Sequence, residues 1–153
     1  MRITVETKVT QPIDQVFAGF NEQLFLKLAP PFPPIKLLRF DGCKKDHQVH
    51  LQLNFIFFKQ NWQSLITENY ARGDEIAFVD EGTRLPFFLK KWRHHHRMVA
   101  TEDGGSIIID DITYSAGNGL FDLFLYVPLW LQFLYRKPIY RRIFNLATPT
   151  GPA

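Results

Sequence analysis

Six consecutive strand candidates, separated by turn signals, constrain the fold of this chain more than any other sequence feature. They are Ile35–Phe40, His47–Phe58, Asn61–Ala71, Glu75–Asp80, Lys91–Thr101 and Ser106–Ser115. Glycine-containing turns at 41–42, 72–74 and 103–105 are typical of hairpins, whereas Gly82–Lys90 is a longer connection. Strands joined by short linkers pair as antiparallel neighbours. The pattern therefore predicts an antiparallel meander.

Helical patterns lie on both sides of this block. The segment Arg2 to Val9 alternates polar and apolar residues, which predicts a first strand with one wet face. Helix-start residues follow at 10–14, and a second short helix is predicted from Glu22 to Leu28. The prolines at 30, 31, 33 and 34 end that helix, because proline lacks the backbone N–H and restricts its neighbour.

A long helix is predicted after the glycines of 117–119, over roughly Leu120–Leu146. Its middle is apolar nearly all round, and we expect Pro128 and Pro138 to kink or interrupt it. The element order is that of an α+β fold, with a seven-stranded antiparallel sheet wrapped around the long C-terminal helix and two short helices after the first strand. We expect one domain over 1–147, a flexible tail over 148–153, and a cavity between sheet and helix.

Composition excludes several classes of protein. Aromatic residues make up 15% of the chain, more than a core of this size needs, so some of them are expected to line a cavity or an interface. A net charge of +3 is too small to indicate a nucleic-acid partner. The single Cys43 excludes an internal disulfide framework and suits a reducing cytoplasm. The start lacks the apolar stretch of a signal peptide, and the apolar run Leu123–Leu131 is shorter than the roughly 20 residues of a membrane-spanning helix.

The run from Lys90 to Met98 contains the sharpest local feature. On a strand, Trp92, His94, His96 and Met98 share one face, and that face is predicted to point inward. Three interpretations follow. The H-x-H pair could chelate a metal, although no third ligand is evident from the spacing. The imidazoles could hydrogen-bond a ligand in a pocket. They could also be satisfied by cross-strand partners in a purely structural role.

Two carboxylates share the inward parity of their strands, Asp80 and Asp110. A carboxylate facing an apolar interior costs several kcal/mol unless it is paired. The available partners are His94, His96 and the hydroxyl of Tyr114. Such a pair either neutralises the buried charge or acts as an acid and base.

No nucleophile elbow, zinc-protease or phosphate-loop motif is present, so we assign no catalytic residue, metal or cofactor. The basic residues from Arg136 to Arg142 follow the apolar helix segment. They either contact an anionic membrane surface or form a solvated last turn that complements the helix dipole.

Three segments carry a resemblance to a known family. Phe78-Val79-Asp80, Pro86-Phe87 and Trp92–Met98 resemble the F-x-D, G-P-F and W-x-H-x-H-x-F pattern of the bacterial ligand-binding SRPBCC branch of the START/Bet v 1-like superfamily, the helix-grip proteins. Residues 110–114 resemble the D-x-[IV]-x-Y strand that follows. Leu85 stands where the family has a glycine. The resemblance implies a hydrophobic pocket between sheet and C-terminal helix; relatives include polyketide cyclases, lipid carriers and hormone receptors.

We therefore expect a cytoplasmic binding protein, rather than an enzyme, that holds a small apolar or aromatic molecule. The predicted ligand-binding residues are Phe55, Phe57, Phe78, Asp80, Trp92, His94, His96, Met98, Asp110, Tyr114 and Phe124. One alternative is a cyclase/dehydratase-like enzyme that uses a His/Asp pair in the same cavity. The other is an interaction or membrane-surface protein that uses its aromatic C-terminal helix. No nucleic acid and no transmembrane segment are expected.

Overall fold

A seven-stranded antiparallel sheet is the framework of the protein in the computed structural model, which describes residues 1–145. The elements are β1 (Arg2–Val9), α1 (Ile13–Ala18), α2 (Glu22–Lys27), β2 (Ile35–Phe40), β3 (Gln48–Asn54), β4 (Lys59–Arg72), β5 (Glu75–Arg84), β6 (Lys91–Ala100), β7 (Ser106–Ser115) and α3 (Gly119–Phe144). The strand order is β1-β7-β6-β5-β4-β3-β2. The predicted meander, α+β class and helix-grip arrangement are confirmed.

The two largest differences between predicted and observed strand ends are in the third and fifth strands. The third strand ends at Asn54 rather than Phe58, because the chain turns over 55–58, where the amide of Phe55 donates to the carbonyl of Phe58 at 2.9 Å. The fifth strand continues beyond Asp80 to Arg84, since the long β4 offers it pairing partners up to Gln63. Register shifts in β4 accompany this pairing, and such irregularities bend a strand and increase its local twist.

The core forms where the short helices and the end of α3 meet the concave face of the sheet. Alternation along β1 buries Ile3, Val5 and Val9, as predicted, together with Thr7, and it exposes the alternate polar residues. One hydrophobic cluster joins both short helices, the central strands and the last turns of α3: Val9, Val16, Leu24, Leu28, Ile66, Phe78, Met98, Ile108, Tyr140 and Phe144.

Helix α3 begins after Asn118, whose side chain accepts a hydrogen bond from the Leu120 amide, a typical N-cap. The helix continues through Pro128 and Pro138, so the predicted interruption does not occur. Its predicted last residue Leu146, the domain end at residue 147 and the tail 148–153 lie outside the described residues. None of the helices within residues 1–145 combines the length and apolarity that crossing a membrane requires.

Candidate ligand-binding site

A cavity of about 910 Å³ lies between the concave face of the sheet, α2 and the first half of α3. Its walls are mostly apolar and come from widely separated parts of the chain. They include Leu24, Val49, Leu51, Trp62, Leu125 and Leu129. A curved sheet and a single long helix do not fill the space between them, and these side chains line the remainder. The volume lies within the range of sites that enclose small organic molecules.

Polar groups are concentrated at one place on this cavity, where β5 and β6 run side by side. Asp80 pairs with His94 across the two strands, and Phe78 pairs with His96. Asp80, His94 and His96 all line the cavity. Trp92, His94 and Met98 are buried, whereas the side chains of Arg93 and Arg97 are 43% and 33% exposed. The predicted register of β6 is therefore confirmed.

The two histidines and two aspartates form a closed polar cluster. The ring centroids of His94 and His96 lie 3.6 Å apart, and the two ring planes are tilted by 33°. His94 Nε2 lies 2.9 Å from Asp110 Oδ1, and His96 Nε2 lies 3.2 Å from Asp80 Oδ2. His94 Nδ1 lies 3.7 Å from Asp80 Oδ2, and His96 Nδ1 lies 3.8 Å from Asp110 Oδ1. Each carboxylate thus faces both imidazoles.

Burial and mutual contact set the charges of this cluster. Burial, reinforced by the neighbouring His96, lowers the pKa of His94 to about 4 against the opposing pull of Asp110. Burial alone would raise the pKa of Asp80 and of Asp110. The hydrogen bonds from His96 to Asp80 and from His94 to Asp110, with the nearby positive groups, outweigh burial and hold both carboxyl pKa values below their ordinary range. At neutral pH the cluster therefore contains two carboxylates and a neutral His94.

Three further side chains hold the carboxylates in place. Trp92 Nε1 donates to Asp80 Oδ1 at 3.2 Å. Arg136 lies with Nη1 3.8 Å from Asp110 Oδ1, and the Tyr140 hydroxyl donates to the same oxygen at 3.5 Å. The sequence interpretation of Arg136 as part of a solvated turn or membrane contact is wrong, since its side chain is only 13% exposed. Arg136 lies three residues after Phe133 and four before Tyr140, and this spacing places all three side chains on one helix face. The sequence therefore contained an indication that Arg136 faces inward.

The structure brings most predicted site residues to the cavity. Phe55, Phe78, Asp80, Trp92, His94, His96 and Phe124 line it. Phe124 lies on the exposed side of α3, so it borders the cavity mouth. Asp110 lies behind the histidines and contacts His94 and Arg136 rather than the space itself.

Three predicted residues lie elsewhere. Phe57 is 92% exposed, because the strand pattern on which its orientation depended ends at Asn54. Met98 belongs to the packed core beside Ile108. Tyr114 is buried against α3, where its hydroxyl donates to the Asp122 carbonyl at 2.6 Å. The predicted inward parity of Met98 and Tyr114 is correct, but the inward face of the sheet extends beyond the cavity.

The structure also supplies what the sequence spacing lacked, a third metal-ligand atom beside the H-x-H pair. One potential ligand atom from each of Asp80, His94 and His96 lies within 4.8 Å of the other two. Asp80 reaches this position through the antiparallel pairing of β5 with β6. Strand parity made Asp80 a candidate partner of the histidines, but its separation along the chain does not identify it as a third metal ligand.

Comparisons with known proteins identify the fold. No protein-family model matches the chain, and no curated protein matches it in sequence. Among solved structures, protein Ms6760 from Mycobacterium smegmatis is similar at 14% identity and a TM-score of 0.68, over 96% of this chain and 92% of that one. The ZhuI aromatase/cyclase from Streptomyces sp. R1128 is similar at 14% identity and a TM-score of 0.62, over 92% and 90%.

A plant enzyme gives a third comparison. Norcoclaurine synthase from Thalictrum flavum, as a point mutant with a transition-state analogue, is similar at 10% identity and a TM-score of 0.62, over 92% of this chain and 93% of that one. The same enzyme has been solved with dopamine and hydroxybenzaldehyde. At these identities the similarity shows the fold alone: the chain has the Bet v 1-like, or SRPBCC, helix-grip fold.

Proposed function

We propose that this protein binds a small, largely apolar molecule with an aromatic or alicyclic body and one polar end. The observation that carries the proposal is the distribution of polarity over the cavity wall. Asp80, His94 and His96, with Arg136 beside them, form one ionisable group on a wall that is otherwise mostly apolar. A site with this division fixes the orientation of a ligand through few polar contacts and gains affinity from apolar burial. Norcoclaurine synthase, which shares the fold, has been solved with two aromatic molecules.

The polar end is expected to contact His96 rather than His94. The side chain of His96 is 11% exposed, whereas that of His94 is 3% exposed and its Nε2 is engaged by Asp110 at 2.9 Å. A ligand hydroxyl or carbonyl at His96 competes with the 3.2 Å contact to Asp80 and leaves the shorter hydrogen bond between His94 and Asp110 in place. His94 then acts as a positioning residue that keeps Asp110 and the second imidazole in place.

Binding of N-phenyl-1-naphthylamine, a neutral aromatic probe whose fluorescence rises in apolar surroundings, tests the proposal. Leu51 lines the cavity, whereas the adjacent Gln52 bonds to Asn61 Oδ1 and does not line it. We expect wild type and Gln52→Trp to bind the probe with similar affinity. Leu51→Trp fills the cavity and is expected to weaken binding at least tenfold. Equal binding by both variants would show that the probe does not enter the cavity.

A second candidate function is acid–base catalysis in the same cavity. Two imidazole–carboxylate pairs within 3.2 Å face a space that admits an organic molecule, which is the arrangement that proton transfer requires. The ZhuI protein, which shares the fold, is described as an aromatase/cyclase. Exchange of the acidic C–H protons of a cyclic 1,3-diketone in D₂O, followed by proton NMR, tests this function. A wild-type rate that falls tenfold in His96→Gln, and not in His95→Gln, supports it; a rate equal to that of buffer excludes it for this substrate class.

A further inference from the structure

We infer that Asp80, His94 and His96 form a binding site for one divalent transition-metal ion at the wall of the cavity. This inference goes beyond the proposed function and does not depend on it. The three residues supply two imidazole nitrogens and one carboxylate oxygen, a donor set that suits Zn²⁺ and Fe²⁺. All three line the cavity, so an ion has a route of entry and keeps open coordination positions on the cavity side.

Two of the three distances between the ligand atoms are close to those around such an ion, and the atoms all lie within 4.8 Å of one another. Asp80 Oδ2 lies 3.2 Å from His96 Nε2 and 3.7 Å from His94 Nδ1. Two atoms bound to a tetrahedral Zn²⁺ at about 2.0–2.2 Å lie about 3.3–3.6 Å from each other. The site therefore needs adjustments of only a few tenths of an ångström in these two distances.

The hydrogen bond behind His94 presents the correct nitrogen to the metal. A carboxylate only accepts hydrogen bonds, so His94 Nε2 donates to Asp110 Oδ1 at 2.9 Å. In the neutral imidazole, Nδ1 then keeps its lone pair, which lies 3.7 Å from the acceptor Oδ2 of Asp80. Two acceptors facing each other repel, and a cation between them removes that repulsion. The order carboxylate, imidazole, metal is also the usual way in which proteins orient a histidine ligand.

His96 and Asp80 are prepared in the same way. Within residues 1–145, the buried His96 Nδ1 has no hydrogen-bond partner and lies 3.8 Å from Asp110 Oδ1. Metal binding through Nε2 places the proton of His96 on Nδ1, where it points toward that carboxylate. Trp92 Nε1 donates to Oδ1 of Asp80 at 3.2 Å, which leaves Oδ2 for the ion. Both ring nitrogens of each histidine and both oxygens of Asp80 then have either the ion or a hydrogen-bonding group as partner.

The charge of the surroundings also favours a divalent cation. Asp80 and Asp110 contribute two negative charges, against which the guanidinium of Arg136, 3.8 Å from Asp110, supplies one positive charge. The mostly apolar wall around the cluster weakens screening by solvent, so attraction between the ion and these carboxylates is stronger than at a surface.

Cobalt binding to the chelator-treated protein, prepared without a polyhistidine tag, tests the site. We expect Co²⁺ to bind one-to-one with visible absorption bands of a low-coordinate ion, and Zn²⁺ to displace it. His96→Gln and Asp80→Asn each remove a ligand and are expected to weaken Zn²⁺ binding at least 100-fold. Asp110→Asn alters the carboxylate behind both imidazoles without removing a metal ligand, and it is expected to weaken Zn²⁺ binding 10- to 100-fold.

Two matched controls lie on the opposite face of the same strands. His95, which contacts the Tyr70 hydroxyl, and Asp111, which binds Arg2, do not line the cavity. His95→Gln and Asp111→Asn should therefore leave Zn²⁺ affinity within twofold of wild type. The site would be overturned if the control and ligand variants lost affinity equally, or if the ligand variants bound Zn²⁺ as wild type does. It would also be overturned if folded wild type bound neither Co²⁺ nor Zn²⁺ stoichiometrically.

Paramagnetic broadening by Co²⁺ in wild type provides a test that needs no variant to fold. The ring resonances of His94 and His96 should broaden at one equivalent while those of His47 and His50 persist; the reverse pattern would contradict the site. Zn²⁺ binding is measured without any organic molecule, and N-phenyl-1-naphthylamine binding is measured on metal-free protein. Failure of the metal site and failure of the proposed function are therefore separate results.

Discussion

The two halves of α3 have opposite environments, and the half that is more apolar in sequence is the more exposed one. In the first half, over 119–131, large apolar side chains are exposed: Leu120, Phe121, Leu123, Phe124, Val127, Trp130 and Leu131. In the second half, over 132–144, Phe133, Tyr140 and Phe144 are almost completely buried. The difference arises because α1 and α2 pack against the second half, whereas the first half covers a cavity. Hydrophobicity along a helix therefore does not reveal which part is core and which part is a wall.

The comparison assigns separate roles to the two halves. The second half stabilises the fold and, through Arg136 and Tyr140, holds Asp110 in the polar cluster. The first half contributes Leu125 and Leu129 to the cavity and Phe124 to its mouth. Each prediction below either separates these roles or shows that they do not differ.

Truncation of one phenylalanine in each half is expected to give the largest contrast. Phe144 stacks on Phe20 and Tyr140 and is 2% exposed, so Phe144→Ala should reduce the free energy of unfolding by about 3–5 kcal/mol. Phe124 is 74% exposed, and Phe124→Ala should change it by less than about 0.5 kcal/mol. Urea denaturation followed by circular dichroism measures both. Similar losses would remove the distinction between the halves.

The reactivity of Cys43 reports whether the packed end stays closed. Cys43 packs against the cluster that contains Phe144, and burial, with a smaller effect of Asp80, raises the pKa of its thiol to about 12. At pH 8 the thiolate fraction is then on the order of 1,000-fold smaller than for an unperturbed thiol, and it rises tenfold with each pH unit. We expect iodoacetamide to modify native protein correspondingly slowly, and urea-unfolded protein at the ordinary rate. Cys43 also lines the cavity, so rapid native modification would mean either that the reagent reaches the thiol through the cavity or that this end opens.

Neutralising Asp110 measures how much the second half gains from the polar cluster. Asp110→Asn keeps the side-chain shape but weakens the charge-assisted hydrogen bond from His94, so we expect a loss of about 1.5–3 kcal/mol. Asp111→Asn changes the neighbouring residue, whose partner Arg2 is solvent-exposed, and should cost less than about 1 kcal/mol. Equal effects in denaturant unfolding would show that the cluster contributes no more than a surface ion pair.

Association with anionic vesicles is the smallest effect expected from the first half. The exposed aromatic residues of α3 and the net charge of +3 favour weak peripheral contact. We expect Phe124→Ser to lower the co-sedimented fraction about twofold. Leu38→Ser, at a position 52% exposed on the edge strand β2, serves as control and should leave it unchanged. No association of wild type would eliminate the membrane-surface interpretation.

The architecture could be predicted from the sequence because local patterns determine it. Strict alternation in β1 and β6 and the glycine turns between strands predicted the meander and the inward face of His94 and His96. The apolar run Phe55–Phe58 led to a wrong prediction of the end of β3, because its composition is that of a strand although the backbone turns there. Apolar composition alone does not distinguish a strand from an apolar turn at a cavity mouth.

The site was accessible only in part, because its decisive contacts are long-range. Asp80 meets His96 across 16 positions, and Tyr140 meets Asp110 across 30. The sequence identified the inward residues but not which of them touch the cavity. Met98 and Tyr114 share the parity of His94 and yet belong to packed regions. That distinction depends on where α1, α2 and the end of α3 cover the sheet.

Intermolecular nuclear Overhauser effects between N-phenyl-1-naphthylamine and assigned methyl groups test the central claim most directly. Leu129 lines the cavity, whereas Leu123, on the same half of α3, is largely exposed and does not line it. We expect contacts from the probe to the methyl groups of Leu51 and Leu129 and none to those of Leu123. Contacts confined to Leu123 and other exposed side chains would show that the probe binds the outer surface of the helix, and would contradict a ligand site between sheet and helix.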